Sequence, residues 1–191
     1  MSIAETELAA RAAAGDVRAT SALLTLIRPG IVRYCRARLG RIDGLFGVAD
    51  DVAQEVCLAI LGALPRYRDD GHPFSALVFA IAANKVADAQ RAAFRGRRVS
   101  TMDEVPDRAD PNPGPEQQAV TTDLARRLSE LLSHLPDTQR ELVVLRVAVG
   151  LSAEEVGAVL GMSPAAVRMA QSRALARLRT LAGSLLDEAA A

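Results

Sequence analysis

The chain has 191 residues, 50% of them hydrophobic, with 23 basic and 23 acidic side chains and so no formal net charge. That hydrophobic share excludes wholesale disorder, and the length allows one large domain or two small ones. A net charge of zero is unusual for a nucleic-acid-binding protein, but the charges are distributed unevenly along the chain. Residues 1–100 have a balance of +4, residues 101–124 of −5 and residues 125–191 of +1, so two basic blocks flank an acidic strip.

The composition favours an all-α fold and argues against several kinds of site. Aromatic residues make up 3% of the chain, Trp is absent, and no run of alternating β-forming residues occurs. Cys35 and Cys57 lie on apolar helical stretches outside any CxxC motif, and His72 and His134 are isolated from each other. We therefore expect core cysteines, no metal ion and no cofactor.

The N-terminus has no targeting signal that we can identify. Glu5 and Glu7 stand where a signal peptide would be basic, and no apolar run is long enough to span a bilayer. We expect a cytoplasmic protein without membrane insertion.

The first helices are marked by apolar periodicity. Residues 3–14 form an amphipathic pattern, and Asp16 is suited to cap a second helix that continues to Leu39. Pro29 is expected to kink or interrupt this helix, because proline lacks the N–H that the ladder needs. Residues 40–47 are predicted to form a loop.

A third helix opens with Asp50 and Asp51, whose charges complement the helix dipole. Val52, Val56 and Ile60 face inward in this pattern. The outer face carries an acidic and polar patch, formed by Asp51, Gln54 and Glu55. Taken alone, this patch is better explained as an ordinary solvated helix surface.

Residues 74–98 form a helix whose polar side becomes steadily basic, after a charged loop at 65–73 that contains Tyr67. The basic residues are Lys85, Arg91, Arg95, Arg97 and Arg98. Such a cluster can follow a phosphate backbone, and the Asn84 amide can both donate to and accept from one base edge. The alternative is that Asn84 and Asp88, four residues apart, merely pair along the helix surface.

The segment 99–115 is predicted to be an extended, acidic linker, since it contains four prolines and the run PNPGP. It divides the chain into domains at 1–98 and 116–185. The second domain is predicted to have four helices, of which the first covers 116–135 and the second starts at Pro136.

The last two helices form a helix-turn-helix pattern. Ser152 and Glu155 make a capping box, Gly161 supplies a left-handed residue for the turn, and Ser163 with Pro164 starts the second helix. One side of that helix is apolar, and the other is polar and basic. The outer side carries Ser163, Arg168, Met169, Ser172, Arg173 and Arg177. This arrangement can enter a DNA major groove, although a structural helical hairpin with solvated arginines would show the same pattern.

The ordered set of motifs resembles the extracytoplasmic-function (ECF, group 4) sigma factors of the sigma-70 family of bacterial RNA polymerase. The resemblance covers about residues 7–182. It is carried by DDVAQEVCLAILGALPRYR at 50–68, PFSALVFAIAANKVADAQRAAFR at 73–95 and LPDTQRELVVLRVAVGLSAEEVGAVLGMSPAAVRMAQSRALARL at 135–178. RYCRAR, DDVAQEV and the arginine-rich end are similar to actinobacterial members of the mycobacterial sigma D type.

The resemblance implies a promoter-specificity subunit with two domains, a region 2 domain and a region 4 domain. Asp51, Gln54 and Glu55 would bind core RNA polymerase, through its β and β′ subunits. The loop at Tyr67 and the helix residues Asn84, Lys85, Arg91 and Arg95 would contact the promoter −10 element and help to melt it.

The same resemblance assigns the −35 element to the helix-turn-helix. Ser163, Arg168, Met169, Ser172 and Arg173 would lie along its major groove. The family usually has a basic residue and a leucine where this chain has Ala170 and Gln171. The resemblance also implies an anti-sigma factor around which the two domains close, and an acidic linker that mimics nucleic-acid charge in the polymerase channels.

Two other functions are compatible with parts of the sequence. One is a stand-alone helix-turn-helix regulator that binds a palindromic operator as a homodimer. The other is a helical adaptor whose hairpin is purely structural. No P-loop, catalytic triad spacing or metal cluster is present in the sequence, so we do not expect an enzyme.

Overall fold

The computed structural model describes residues 3–40, 48–99, 127–128 and 130–190. These residues form helices and connecting turns, without a strand, in agreement with the predicted all-α class. Residues 41–47 of the predicted loop at 40–47 and residues 100–115 of the predicted linker at 99–115 lie outside this part of the chain, as do residues 116–126 and 129 of the helix predicted over 116–135 and the side chains of Arg97 and Arg98. Val99, predicted to start the linker, is instead the last residue of a helix.

In the described residues, the first domain contains four α-helices and one short 3₁₀ turn. They are α1 (Ile3–Ala13), α2 (Val17–Leu39), α3 (Val48–Ala63), the 3₁₀ turn (Leu64–Arg66) and α4 (Phe74–Val99). The central element is α2, which packs against α1, α3 and α4. Tyr34 of α2 is fully buried, and its ring lies edge-on to that of Phe79 at a centroid distance of 5.5 Å.

Asp16 begins α2 as the sequence predicts. Its Oδ1 accepts from the backbone N–H groups of Arg18 at 2.9 Å and Ala19 at 3.0 Å, which satisfies two donors that have no partner within the helix. Of the two effects expected of Pro29, a kink or an interruption, the interruption does not occur, because α2 runs without a break from Val17 to Leu39 as the predicted helical region does. The buried side chains before and after the proline anchor both halves on the core, and this packing overrides the local preference.

The second domain contains a helical segment at 130–133, then α5 (Asp137–Val143), α6 (Ala153–Leu160) and α7 (Pro164–Ala190). Residues Val144–Val149 continue α5 as a π-helix, which the sequence did not predict. Arg140 closes the preceding helical segment, because its guanidinium donates to the carbonyl groups of Leu132, Ser133 and Leu135. Helix α7 extends well beyond the predicted recognition helix.

The two domains share a hydrophobic core. Leu142, Leu145 and Val156 of the second domain belong to the same contiguous buried cluster as Ile31 and Phe79 of the first. The contacts are made by the α5–π segment against α2 and by α6 against α4. The sequence predicted two domains but gave no indication of how they would sit against each other.

Candidate nucleic-acid and polymerase interfaces

The helix-turn-helix has the predicted local geometry. Ser152 Oγ accepts from the Glu155 N–H at 3.1 Å, and Glu155 Oε2 accepts from the Ser152 N–H at 2.8 Å, so both bonds of the capping box are present. Gly161 is left-handed, with φ 65° and ψ 35°. Ser163 Oγ then accepts from the Ala166 N–H at 3.2 Å and begins α7. The three sequence signals for this motif are therefore confirmed.

Gly157 is a structural requirement of this motif that the sequence reading missed. An added Cβ would lie 2.5 Å from the backbone oxygen of Met162, closer than real Cβ contacts allow. The turn can therefore fold back against α6 only with a glycine at this position. The available signal was a glycine in the interior of a predicted helix, which has a conformational cost and so needs a packing reason.

The outer face of α7 is open to solvent. Ser163, Arg168, Met169, Ser172 and Arg173 are all exposed, and Val167 and Ala174 on the opposite side are fully buried. Arg168 Nη1 lies 3.4 Å from Glu154 Oε1 at the start of α6. The arrangement presents one basic stripe, which can lie along a phosphate-lined groove.

Gln171 has a different role from the exposed residues around it. Its Oε1 accepts from Arg146 Nε at 2.9 Å, and Arg146 Nη1 donates to the Leu151 carbonyl. Both side chains are half-buried. Gln171 thus joins α7 to the π-helix behind it, which gives a structural reason for the glutamine at this family-divergent position.

The acidic patch of α3 is exposed as the periodicity predicts. Asp51, Gln54 and Glu55 point outward, while Val52 and Val56 on the other side are buried. Leu58 continues the patch and is 67% exposed. Charged side chains around one exposed apolar residue are typical of a protein-binding surface rather than a nucleic-acid-binding one.

The basic face of α4 is partly neutralised by neighbouring acids. Asn84, Arg91 and Arg95 are exposed, but Arg91 Nη2 donates to Asp88 Oδ1. The structure thus pairs Asp88 with Arg91, and not with Asn84 as the alternative reading had it. Lys85 lies across from α3, with its Nζ 3.1 Å from Glu55 Oε2. This ion pair joins a residue expected to bind DNA to one expected to bind polymerase.

Tyr67 lies beside a cavity of about 540 Å³ that is bounded by residues of the 63–77 stretch and by Ala158 of α6. Its ring packs edge-on to Phe74 at a centroid distance of 5.1 Å. The hydroxyl is buried, and this burial raises the pKa of Tyr67. Ala158 comes from the second domain, so the cavity next to the expected −10 residues exists in this form only while the domains are packed together.

Other kinds of site are not seen in the described part of the chain. Within it, no three or more His, Cys, Asp or Glu side chains are grouped as a metal site would require. Helices long and apolar enough to cross a membrane are also absent from this part. Cys35 is buried and Cys57 half-buried, and both are free thiols.

Comparison with known proteins identifies the family. Residues 23–96 match sigma-70 region 2, and residues 125–178 match sigma-70 region 4. The ECF RNA polymerase sigma factor ShbA of Streptomyces griseus is 56% identical over 90% of this chain and 92% of its own. The chain belongs to the extracytoplasmic-function sigma factors of RNA polymerase. It is therefore a non-enzymatic, DNA-binding transcription initiation factor and not a stand-alone regulator.

Two further similarities define the family more closely. The ECF RNA polymerase sigma factor SigD of Mycobacterium tuberculosis is 54% identical over 89% of this sigma factor and 80% of its own chain, in agreement with the predicted actinobacterial type. The solved structure of CnrH in complex with the cytosolic domain of CnrY has a TM-score of 0.68 and 28% identity, and covers 95% of this chain and 98% of CnrH. The fold and the order of the two regions are thus those of the family.

Proposed function

We propose that this sigma factor binds core RNA polymerase through the acidic patch of α3 and reads promoters at two separate faces. The first domain, 1–98, uses Asn84, Lys85, Arg91, Arg95 and Tyr67 at the −10 element. The second domain, 116–185, uses Ser163, Arg168, Met169, Ser172 and Arg173 at the −35 element. The segment between them, 99–115, acts as the linker.

The observation that carries the proposal is the open basic stripe of α7 on a fully capped helix-turn-helix. Two caps and a left-handed glycine hold α7 at a defined angle to α6, so the stripe is presented as a rigid unit. Rigid presentation favours base reading, since the side chains need not be ordered on binding. Arg168 and Arg173 would lie against phosphates or guanine edges.

The proposed polymerase site rests on charge and exposure. Asp51 and Glu55 give α3 a negative outer surface, and exposed Leu58 adds an apolar contact. Phosphates would be repelled by this surface, and a basic protein surface would be attracted to it. We infer that the β and β′ subunits of the polymerase supply that surface. Because its partner is the transcription machinery, the protein acts in the cytoplasm.

The proposed −10 site combines an exposed amide with a basic helix face. Asn84 can recognise one base edge, and Arg91 and Arg95 can hold the neighbouring backbone. The 63–77 stretch beside Tyr67 would receive an unstacked base, which would recover part of the energy spent on melting.

A protein partner that holds the factor inactive is also part of the proposal. The solved CnrH structure contains the cytosolic domain of CnrY, so a sigma factor of this fold can be bound by a second protein. We infer an anti-sigma factor that recognises the packed domains of this chain.

The test is run-off transcription with purified core RNA polymerase on a library of genomic promoter fragments, with and without this protein. We expect initiation at discrete sites only when the protein is present, with shared −10 and −35 sequences among those sites. Absence of initiation together with failure to co-elute with core polymerase would contradict the proposal.

A second measurement addresses the −10 assignment. In Asn84→Ala, promoter opening measured by permanganate reactivity should fall about tenfold or more, because one well-made base contact contributes about 1–3 kcal/mol. Affinity for core polymerase should stay the same. An equal loss of opening and of polymerase affinity would remove Asn84 from the base-reading role.

A further inference from the structure

The outer surface of α4 carries an aromatic side chain that the contacts proposed above do not use. Phe94 is 62% exposed. The other aromatic side chains that the structure describes are buried or half-buried, namely Tyr34, Phe74, Phe79 and Tyr67. A single exposed apolar residue needs no explanation by itself, so the surroundings of the ring decide what it can bind.

The surroundings of Phe94 are basic. The ring comes one turn after Arg91 and directly before Arg95, and both arginines are exposed. With about 3.6 residues per turn, Phe94 is about 60° around the helix from Arg91, on the side opposite to Lys85 and its partner Glu55. Arginines repel a basic protein surface and attract phosphates. The local charge therefore favours a nucleic acid as the partner of this ring.

An exposed ring between arginines has a defined use in proteins that bind single-stranded nucleic acid. In such proteins the cations follow the phosphate backbone, and the aromatic face stacks on a base. A base stacks well in this setting because a phenylalanine ring has only two side-chain torsions to order.

The helix beneath the ring is tied to its neighbour. Gln90, one turn before Phe94, donates from Nε2 to the carbonyl of Arg38 near the end of α2 at 3.3 Å. Val86, another turn earlier, is buried in the core. Phe94 is therefore presented on a helix that is held in place in the free protein, so binding need not order the backbone below it.

The position of Phe94 along α4 separates it from the base proposed for Asn84. Ten residues lie between the two positions, which is about 15 Å along the helix axis, or the axial length of about four base pairs of B-form DNA. The two side chains therefore address different bases.

The direction of the chain indicates on which side the second base lies. Helix α4 ends at Val99, and the chain continues from there towards the domain proposed to read the −35 element. The −35 element lies upstream of the −10 element, as their names state. The Phe94 end of α4 therefore faces the upstream side of the −10 element.

We propose that Phe94 stacks on a base at the upstream edge of the melted −10 segment and so opposes closing of the two strands. This inference rests on the proposed −10 reading by α4, and it adds a residue that acts by stacking. Every base has a π-face, so this contact stabilises melted DNA without selecting a sequence, whereas Asn84 selects a base by hydrogen bonds. Arg91 and Arg95 would hold the neighbouring phosphates.

Two other partners would use the same side chain differently. In an intact duplex the ring would contact a thymine methyl group, and on a partner protein it would contact an apolar surface. Both contacts need an apolar side chain of this size but no aromatic face, so leucine would serve in either. The difference between leucine and an aromatic residue at position 94 therefore separates stacking from both.

The first experiment measures promoter opening by permanganate reactivity, with core polymerase and the full-length protein on a promoter at which the wild type initiates. In Phe94→Ala we expect opening to fall about tenfold, since one base–aromatic contact is lost. Phe94→Leu should show nearly the same loss, and Phe94→Tyr should keep at least about half of the opening.

The matched control removes another exposed apolar side chain. Leu26 of α2 is 48% exposed and lies outside the proposed DNA-binding faces, so Leu26→Ala should leave promoter opening unchanged. Affinity for core polymerase should be the same in all four variants.

The second experiment locates the stacked base. The probe is a promoter fragment whose −10 segment is left single-stranded, so that removing a base does not alter pairing. Abasic sites are placed singly at successive positions upstream of the base assigned to Asn84. The wild-type complex should lose about tenfold in affinity at one of these positions, and Phe94→Ala should lose nothing further there, because the ring and the base stabilise the complex only together.

The outcomes separate this inference from the proposed function. Full opening by Phe94→Ala, full opening by Phe94→Leu, or an abasic scan without a coupled position would each overturn the stacking role. The wild-type protein would still open the promoter in these cases, so the −10 proposal would stand. If the wild type itself failed to open promoters, the proposed promoter reading would fall, and the stacking role with it.

Discussion

The two faces proposed to read DNA, on α4 and on α7, differ in how ready they are in the free protein. On α7 the basic stripe lies away from the core, and the ion pair between its Arg168 and Glu154 is exposed and therefore weak. On α4 both Lys85 and Arg91 are paired with acids, and the cavity beside Tyr67 is bounded partly by the second domain.

This difference suggests an order of events. If the proposed function holds, the α7 face would bind duplex DNA as it is, since recognition of an intact major groove needs no rearrangement of an exposed, capped helix. Under the same proposal the α4 face would act on melted DNA, and Lys85 would become available once polymerase binds Glu55. Under the proposed function, the contrast would give duplex recognition to the α7 face and the later, melted-DNA step to the α4 face.

The largest expected effect comes from a substitution that disturbs the rigid turn of the helix-turn-helix. Gly157→Ala forces a Cβ against the Met162 carbonyl, and we expect a loss of about 2–3 kcal/mol in the free energy of unfolding, measured by urea denaturation. Gly62→Ala is the matched control, because Gly62 also lies in a helix but has open space where its Cβ would be. It should be neutral or slightly stabilising. Equal effects of the two changes would show that the close approach at Gly157 does not exist.

Removing the cations from the α7 stripe tests the open face directly. In Arg168→Ala with Arg173→Ala, affinity for −35 duplex DNA should fall about a hundredfold, and the slope of log affinity against log salt should decrease by about two. Helicity should be unchanged, because both side chains are exposed. The control is Arg179→Ala, an exposed arginine further along α7 and outside the proposed stripe, which should leave this affinity unchanged. Full promoter activity in the Arg168/Arg173 variant would return the hairpin to a structural role.

The stability of the first domain should depend on pH because of Glu5. This residue lies on α1, and α1 packs against the 3₁₀ turn next to the Tyr67 loop. Burial raises the pKa of Glu5 from 4.5 to about 7. The folded state therefore holds this proton more tightly than the unfolded state, and the associated stability is lost as pH rises from about 4.5 to about 7.

Glu5→Gln removes this dependence. At pH 8 the variant should exceed the wild type by about 1 kcal/mol in the free energy of unfolding, and at pH 5 the two should be nearly equal. Thermal unfolding across this range measures the difference, with Glu7→Gln as a control at a residue on the same helix that is more exposed. A constant difference between variant and wild type at all pH values would contradict the assignment.

The smallest expected effect concerns the ion pair between α3 and α4. Glu55→Gln releases Lys85, so we expect binding to nonspecific DNA to tighten about twofold to fourfold, since an exposed pair contributes less than about 1 kcal/mol. Binding to core polymerase should weaken in the same variant. Asp88→Asn is the comparison variant, since it releases Arg91 without touching the polymerase patch. If both variants lost polymerase affinity equally, the two faces would not be separate.

Much of the fold could be predicted from local signals. The helix caps and the turn depend on groups that are at most four residues apart, so the sequence pattern alone predicts the contact. They are formed by Asp16, the Ser152–Glu155 capping box, Gly161 and Ser163. The apolar periodicities of α2, α3 and α7 predicted their buried sides for the same reason. The exception was Pro29, whose local cost is outweighed by packing on both sides of it.

The candidate faces were predicted as exposed surfaces, but their pairing was not. Nothing in the sequence indicates that Lys85 pairs with Glu55, or that Gln171 faces Arg146 rather than solvent. Both pairs depend on how two helices lie against each other. Helix periodicity predicts which side of a helix a residue is on, but not which residue of another helix it contacts.

The sequence by itself determined the all-α class, the helix-turn-helix and membership of the ECF family, since these follow from spacings within single helices and from ordered motifs. Only the tertiary structure decided that the two domains close on each other. Tyr34 and Glu141 lie 107 residues apart and each looks like an ordinary helix residue in the sequence. Their meeting depends on the packing of α2 against the α5–π segment, a long-range contact between whole surfaces that no local pattern specifies.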